Sequence, residues 1–171
     1  LTLLTTATNH TMSPTLYGAR IKFDAAKSFV PVCTLATSAT VLVVGPSLPV
    51  PSVAEFVQRA KAKPGSVTYA TPGQGSSPHL ATEQFTQLAG LSLVHVPYKG
   101  AAPAVTDLIG GQVDISFATV GSVLPHIKSG KLKALAVASR QRSALLPEVP
   151  TFEEAGVKGF VVDTWYGLLA P

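Results

Sequence analysis

The stretch Ser66-Val-Thr-Tyr-Ala-Thr-Pro-Gly-Gln-Gly-Ser-Ser-Pro-His-Leu80 reads as a strand, a glycine loop and a helix start laid end to end. Val67, Tyr69 and Thr71 supply the β-branched and aromatic residues of a short strand. Gly73 and Gly75 allow backbone angles that bring amide N–H groups close to a guest. Ser77 is the expected N-cap, with Pro78 at the first helical position. The free N–H groups of a first helical turn and the positive end of its dipole favour a carboxylate or a phosphate. The same stretch also fits a plain βα turn, and the neighbouring segments bear on which reading holds.

Upstream, Leu1–Thr8 reads as a strand, Asn9–Pro14 as a polar loop and Thr15–Tyr17 as a short helical turn. Val32–Ala36 and Thr40–Val44 read as two strands separated by Thr37-Ser38-Ala39. Ser52-Val-Ala-Glu55 has the form of a capping box, and Val53, Phe56 and Ala60 share one face of the helix it opens. Downstream of the glycine loop the pattern alternates. A helix with the stripe Ala81, Phe85 and Leu88 ends at Gly90, a strand covers Ser92–Val96, and a helix covers Ala101–Ile109. A strand follows at Val113–Phe117, then a short helix at Val123–Lys128 and an apolar strand at Leu132–Ala138. Thr151-Phe-Glu-Glu154 is a second capping box, and Val161–Ala170 a closing strand. Strand–helix alternation predicts βαβ crossovers and a mostly parallel sheet. The division expected is a complete α/β lobe over residues 47–160, with 1–46 and 161–171 belonging to a second, incomplete lobe. The abrupt start at Leu1, without a basic segment or a long apolar run after it, reads as a cut strand and not as a signal peptide.

Of the 171 residues, 46% are hydrophobic and 13% charged, the balance of a globular chain with a sizeable core. No apolar run approaches the roughly 18 residues that span a bilayer. The net charge of +4 is dispersed along the chain, without a Lys/Arg block or interleaved aromatics, so nucleic acid is not an expected partner. Cys33, the only cysteine, rules out an internal disulfide and a cysteine-built metal site, and a small buried strand residue is expected there.

Ligands of open α/β sheets sit beyond the carboxyl ends of the strands. Four segments take such positions: Gly73–His79, Tyr98–Gly100, Thr119–Ser122 and, from the other lobe, Thr5–His10. They are rich in hydroxyls and backbone donors and poor in carboxylates, which suits an anionic small molecule. Lys99 is either an ion-pair partner for it or a solvated turn residue. Tyr98 is either a hydroxyl donor or a core wall, and His79 either a donor to the ligand or an outward-facing ring. His95 and His126 are expected to be structural or surface residues. Catalysis finds no support: there is no Gly-x-Ser-x-Gly elbow, no His-x-x-x-His pair and no convergent carboxylates. No cofactor is expected.

Val94-His-Val-Pro-Tyr-Lys-Gly100, Ala102-Pro-Ala104, Asp107-Leu108 and Gly110-Gly-Gln-Val113 resemble the substrate-binding receptors of bacterial tripartite tricarboxylate transporters, the Bug proteins. The likeness continues through Leu124-Pro-His-Ile-Lys128, Gly130-Lys-Leu132, Ala134-Leu-Ala-Val137 and Leu146-Pro-Glu-Val-Pro-Thr151. It ends in Glu154-Ala-Gly156 and Trp165-Tyr-Gly-Leu-Leu-Ala-Pro171. The resemblance implies an α/β, type II-like Venus flytrap in the periplasm. Such a protein closes over a small carboxylate, presents it to membrane permease subunits, is monomeric when intact, and is not an enzyme. It implies ligand contacts from Gly73, Gln74, Gly75, Ser76, Ser77 and His79 in one lobe and from Thr6, Ala7, Thr8, Asn9 and His10 in the other. Tyr98, Lys99 and Thr119 complete the candidate set. Where the family usually has Phe-Asp-Asn, this chain has Phe117-Ala118-Thr119, which predicts a cargo without an amino group. The family's N-terminal strand with its glycine-proline loop and the C-terminal part of that lobe have no counterpart in the sequence. The competing expectation is the effector domain of a transcription regulator, which has the same two-lobed fold.

Overall fold

A single strand, β2 (Val30–Val44), joins the two halves of the molecule and changes partners midway. The computed structural model describes residues 2–171, so the start of the predicted first strand at Leu1 lies outside the described residues. From Val30 to Ala39, β2 pairs antiparallel with β7 (Asp163–Ala170), which in turn pairs antiparallel with β1 (Leu4–Ala7). From Thr40 to Val44 it lies between β5 (Ile115–Thr119) and β6 (Lys133–Val137), again antiparallel to both. The sheet continues from β5 to β3 (Thr68–Thr71) and β4 (Val94–Pro97), and these pairings are parallel. The sheet is therefore mixed, not mostly parallel: a strand entering from the other half runs against the βαβ strands it joins.

Thr37-Ser38-Ala39 does not separate two strands but continues one 15-residue strand through the crossing. Register shifts against β7 fall between Pro31 and Cys33 and between Thr34 and Ala36. Pro31 has no N–H to give a ladder, so an irregularity beside it costs little. The first eight residues of β2 are exposed and the last five buried. Cys33 sits in the exposed part and is itself exposed, contrary to expectation.

Beyond the crossing, alternation along β2 sends Leu42 and Val44 to one face of the sheet and Val41 and Val43 to the other. The first face is packed by α2 (Val53–Ala62) and α3 (Ser77–Ala89) around Phe85, whose ring meets those of Phe56, Phe117, Phe152 and Phe160 at centroid distances of 5.4–6.1 Å. Truncating so central a ring costs roughly 3–5 kcal/mol. The second face is packed by α4 (Ala101–Ile109) and α5 (Val120–Lys128) through Val105, Leu108 and Val123.

Caps fix where these helices begin. Ser52 accepts the Glu55 N–H at the start of α2, and Ser76, not Ser77, accepts the His79 N–H at the start of α3. The cap is one residue earlier than predicted, which buries Ser77 in the first turn. Asn9–Tyr17, expected to be mostly loop, is a helix (α1) that carries Pro14 and stops at Gly18. The second capping box forms its reciprocal bonds, Thr151 N–H to Glu154 Oε2 at 2.7 Å and Glu154 N–H to Thr151 Oγ1 at 3.1 Å, around a turn instead of a long helix. Arg142 pairs with the Glu154 carboxylate at 2.9 Å and also donates to Pro147 O, fastening the proline-punctuated connection between β6 and this turn. Among the described residues no helix is long and apolar enough to cross a membrane.

Candidate functional site

The carboxyl ends of β1, β3 and β5 open onto one cavity of about 410 Å³, walled on the far side by the start of β7. Its volume lies in the range of small-molecule sites. Four helices begin on its rim: α1 with Asn9, α3 with Ser77 and Pro78, α4 with Ala101 and α5 just after Thr119. The strand-to-helix connections put them there, because each short turn leaves the sheet at its carboxyl edge.

The loop from Pro72 to Ser77 forms one wall. Thr71 Oγ1 accepts the Gly73 N–H at 3.3 Å, and Ser76 Oγ donates to Gly73 O at 2.7 Å while capping α3. The Gly75 N–H donates to His79 Nδ1 at 3.2 Å. The amides of Gln74 and Ser77 have no acceptor among the described residues. Across the cavity, Asn9, Ser13 and Tyr17 project from α1 at successive four-residue steps. Thr164 and Tyr166, two apart on β7, share the face that closes the cavity. Thr164 Oγ1 is buried and has no hydrogen-bond partner among the described residues.

Among the described residues no Asp, Glu, Lys, Arg or His lines the cavity. Its polarity comes from amides and hydroxyls, and its positive potential from helix N-termini, each contributing up to ~2 kcal/mol toward a partly buried anion. Ala101, Ala104, Val105, Phe117 and Ala118 supply an apolar floor. Among the described residues no group of three or more His, Cys, Asp or Glu is gathered to hold a metal ion. The arrangement can bind an anion and hold its apolar body, and it carries no acid, base or nucleophile pair for chemistry.

Of the residues singled out in the sequence, the structure brings together Ala7, Asn9, Gly73, Gln74, Gly75, Ser76, Ser77 and Thr119 on the cavity wall. The others stand elsewhere. Thr6 is held in the ladder opposite Gly167, and Thr8 Oγ1 accepts the Trp165 N–H at 3.1 Å. His10 donates from Nε2 to Ala25 O at 2.9 Å and packs against Phe23 and Phe29. Lys99 is exposed. Tyr98 donates its hydroxyl to the Asp107 carboxylate at 2.8 Å, and burial together with that carboxylate pushes the phenol up to about 12.

His79 lies behind the glycine loop, its ring stacked at 4.3 Å on that of His95, which in turn stacks at 4.8 Å on Tyr69. His95 Nε2 is 2.7 Å from Thr71 Oγ1. Burial, followed by the neighbouring His79, holds His95 below the usual imidazole range, against an opposing pull from Glu83. Tyr69 is pushed above the usual phenol range by burial and by its hydrogen bond to the Glu83 carboxylate. The sequence does not single out Ser13, Tyr17, Ser116, Thr164 or Tyr166, whereas Ser122 falls in the expected Thr119–Ser122 segment. The Asn9–Ser13–Tyr17 spacing was the available signal, hidden by reading α1 as loop.

Comparison with known proteins agrees with this architecture. The sequence matches the family described as "Tripartite tricarboxylate transporter family receptor" over residues 1–171. It is 40% identical over 151 residues to protein BugT of Bordetella pertussis, covering 88% of this chain and 46% of that one. Solved structures that share its fold include two with a bound acid. R. palustris Rpa4515 with adipate is 36% identical with a TM-score of 0.84, over 87% of this chain and 50% of that one. MatC (Rpa3494) from Rhodopseudomonas palustris with bound malate is 28% identical with a TM-score of 0.90, over 99% and 57%. The chain belongs to the tripartite tricarboxylate transporter receptor family, whose members are two-lobed solute-binding proteins and not enzymes. It spans about half the length of the curated relatives it matches, 46% in the case of BugT.

Proposed function

We propose that this protein is an extracytoplasmic receptor that captures a small dicarboxylate in the cleft between its lobes and delivers it to the permease subunits of a tripartite transporter. The observation that carries this reading is a cavity ringed by four helix N-termini and lined by amides and hydroxyls without a single charged side chain. One carboxylate of the cargo is held by the Gln74 and Ser77 amides at the start of α3. A second polar group reaches toward the start of α5 and Thr164. The apolar floor takes the carbon chain between them. With Ala118 and Thr119 where the family usually carries Asp-Asn, nothing in the lining pairs with an ammonium group, so the cargo carries no amino group.

Residues 40–160, the buried end of β2 included, act as one closing lobe, and the segments 1–39 and 161–171 supply the facing wall. Effector domains of transcription regulators have the same two-lobed fold, and it is the match to a receptor family along the whole chain that favours the receptor. Calorimetric titration with adipate, malate, glutamate and aspartate tests the reading. Saturable binding of a diacid, with the two amino acids binding at least ten times more weakly, is expected. Preference for an amino acid, or heat from none of the four, would overturn it.

A further inference from the structure

His79 does not line the cavity, yet it is bonded to the loop that does. Its Nδ1 accepts the Gly75 N–H, so that nitrogen carries no proton and the ring proton sits on Nε2. Gly75 has a φ of +75°, a left-handed backbone setting that glycine adopts without strain. The nearby Gln74 and Ser77 amides have no acceptor among the described residues. The ring cannot swing off this bond, because it is stacked on His95 and the His95 ring is held by Thr71. Thr71 in turn accepts the Gly73 N–H. The loop thus has two imidazole-backed anchors, one direct at Gly75 and one through Thr71 at Gly73.

We propose that His79 is a positioning residue for cargo capture, whose unprotonated Nδ1 anchors Gly75 and so aims the Gln74 and Ser77 amides at the carboxylate. This rests on the receptor reading above. The titratable groups packed around it are His95 from β4, Tyr69 from β3 and Glu83 one turn further along α3. Only a side chain with an acceptor at the place of Nδ1 can hold the Gly75 N–H.

Two variants and two readouts test the proposal. In His79→Asn the amide oxygen occupies the place of Nδ1 and accepts without titrating, whereas His79→Leu removes the acceptor. The first readout needs no ligand: the hydrogen-exchange protection factor of the Gly75 amide. His79→Leu is expected to lose about tenfold in protection relative to the native protein, the fold-change of one hydrogen bond, while His79→Asn keeps it.

The second readout is adipate affinity, which should weaken about tenfold in His79→Leu and be rescued in His79→Asn, on the same hydrogen-bond scale. Equal Gly75 protection in the native protein and His79→Leu, or equal adipate affinity in His79→Leu and the native protein, would overturn the assignment. Should the exchange pattern hold while adipate and other diacids fail to bind, it is the receptor reading that falls, and the anchoring of the loop by His79 stands.

Discussion

Leu16 on α1 reaches across the cleft to Gly75: a Cβ built on that glycine would stand 2.5 Å from Leu16 Cδ1. The two residues belong to facing walls, and a Cβ at position 75 would meet the far end of the exposed Leu16 side chain, which must turn aside. Gly75→Ala is expected to weaken diacid binding chiefly by straining the glycine loop. The left-handed backbone at this position adds roughly 1–2 kcal/mol of strain to any residue with a Cβ. Calorimetry on Gly75→Ala and on Gly75→Ala with Leu16→Ala separates the two effects, since trimming Leu16 restores only the part lost to the clash.

Thr164 has a buried hydroxyl with no partner among the described residues, on the wall facing the cavity. Thr164→Val keeps the shape and removes the orphaned group. The variant is expected to be as stable as the native protein or up to about 1 kcal/mol more stable, because a lone buried hydroxyl is a cost. Its affinity for the cargo should fall by about tenfold, the scale of one hydrogen bond. Thermal melts with and without the diacid read both, and a fall in stability without a fall in affinity would count against a binding role.

Ala118 lies on the cavity floor beside the start of α5. Ala118→Asp places a carboxylate where the cargo's own negative charge is expected. At about 6 Å and an effective dielectric of about 20 the repulsion amounts to roughly 3 kcal/mol, a loss on the order of 100-fold in diacid affinity. Glutamate and aspartate should gain relative to adipate in the same variant. Competition calorimetry measures the exchange of preference directly.

The Tyr98–Asp107 bond predicts a pH dependence at the alkaline end. The folded phenol is raised to about 12, so the native state holds a proton that the unfolded chain gives up near pH 10. This contribution is fully present below the unfolded value and is lost as pH rises through the folded one. Denaturant unfolding between pH 9 and about 12 should show stability falling across that window, and Tyr98→Phe should lose the part of the slope that comes from this residue.

The sequence pattern foretold the α/β alternation, the helix over Ala101–Ile109 and the glycine loop, because those segments carry strong local signals: a period of 3.6, caps and obligatory glycines. It failed where tertiary pairing overrode local preference. Thr37-Ser38-Ala39 has no alternating apolar pattern, yet β7 holds it as strand through the crossing. Asn9–Tyr17 is polar and contains Pro14, so the four-residue spacing of Asn9, Ser13 and Tyr17 is a weak local signal for the helix that faces the cleft. The single-residue error at the α3 cap came from two adjacent serines, either of which can cap. Part of the cavity wall was legible, in the glycine loop and at Ala7, Asn9 and Thr119. Thr164 and Tyr166 were not, since a strand residue's facing depends on register with β2.

The most direct test of carboxylate capture by helix N-termini is a crystal structure of the protein with adipate. The account predicts one carboxylate within about 3 Å of the Gln74 and Ser77 nitrogens, the hydrogen-bonding distance of an amide. The other end of the diacid should lie toward Thr119 and Thr164. Adipate held instead by Lys99 or His10, or a cavity left empty at saturating adipate, would contradict it.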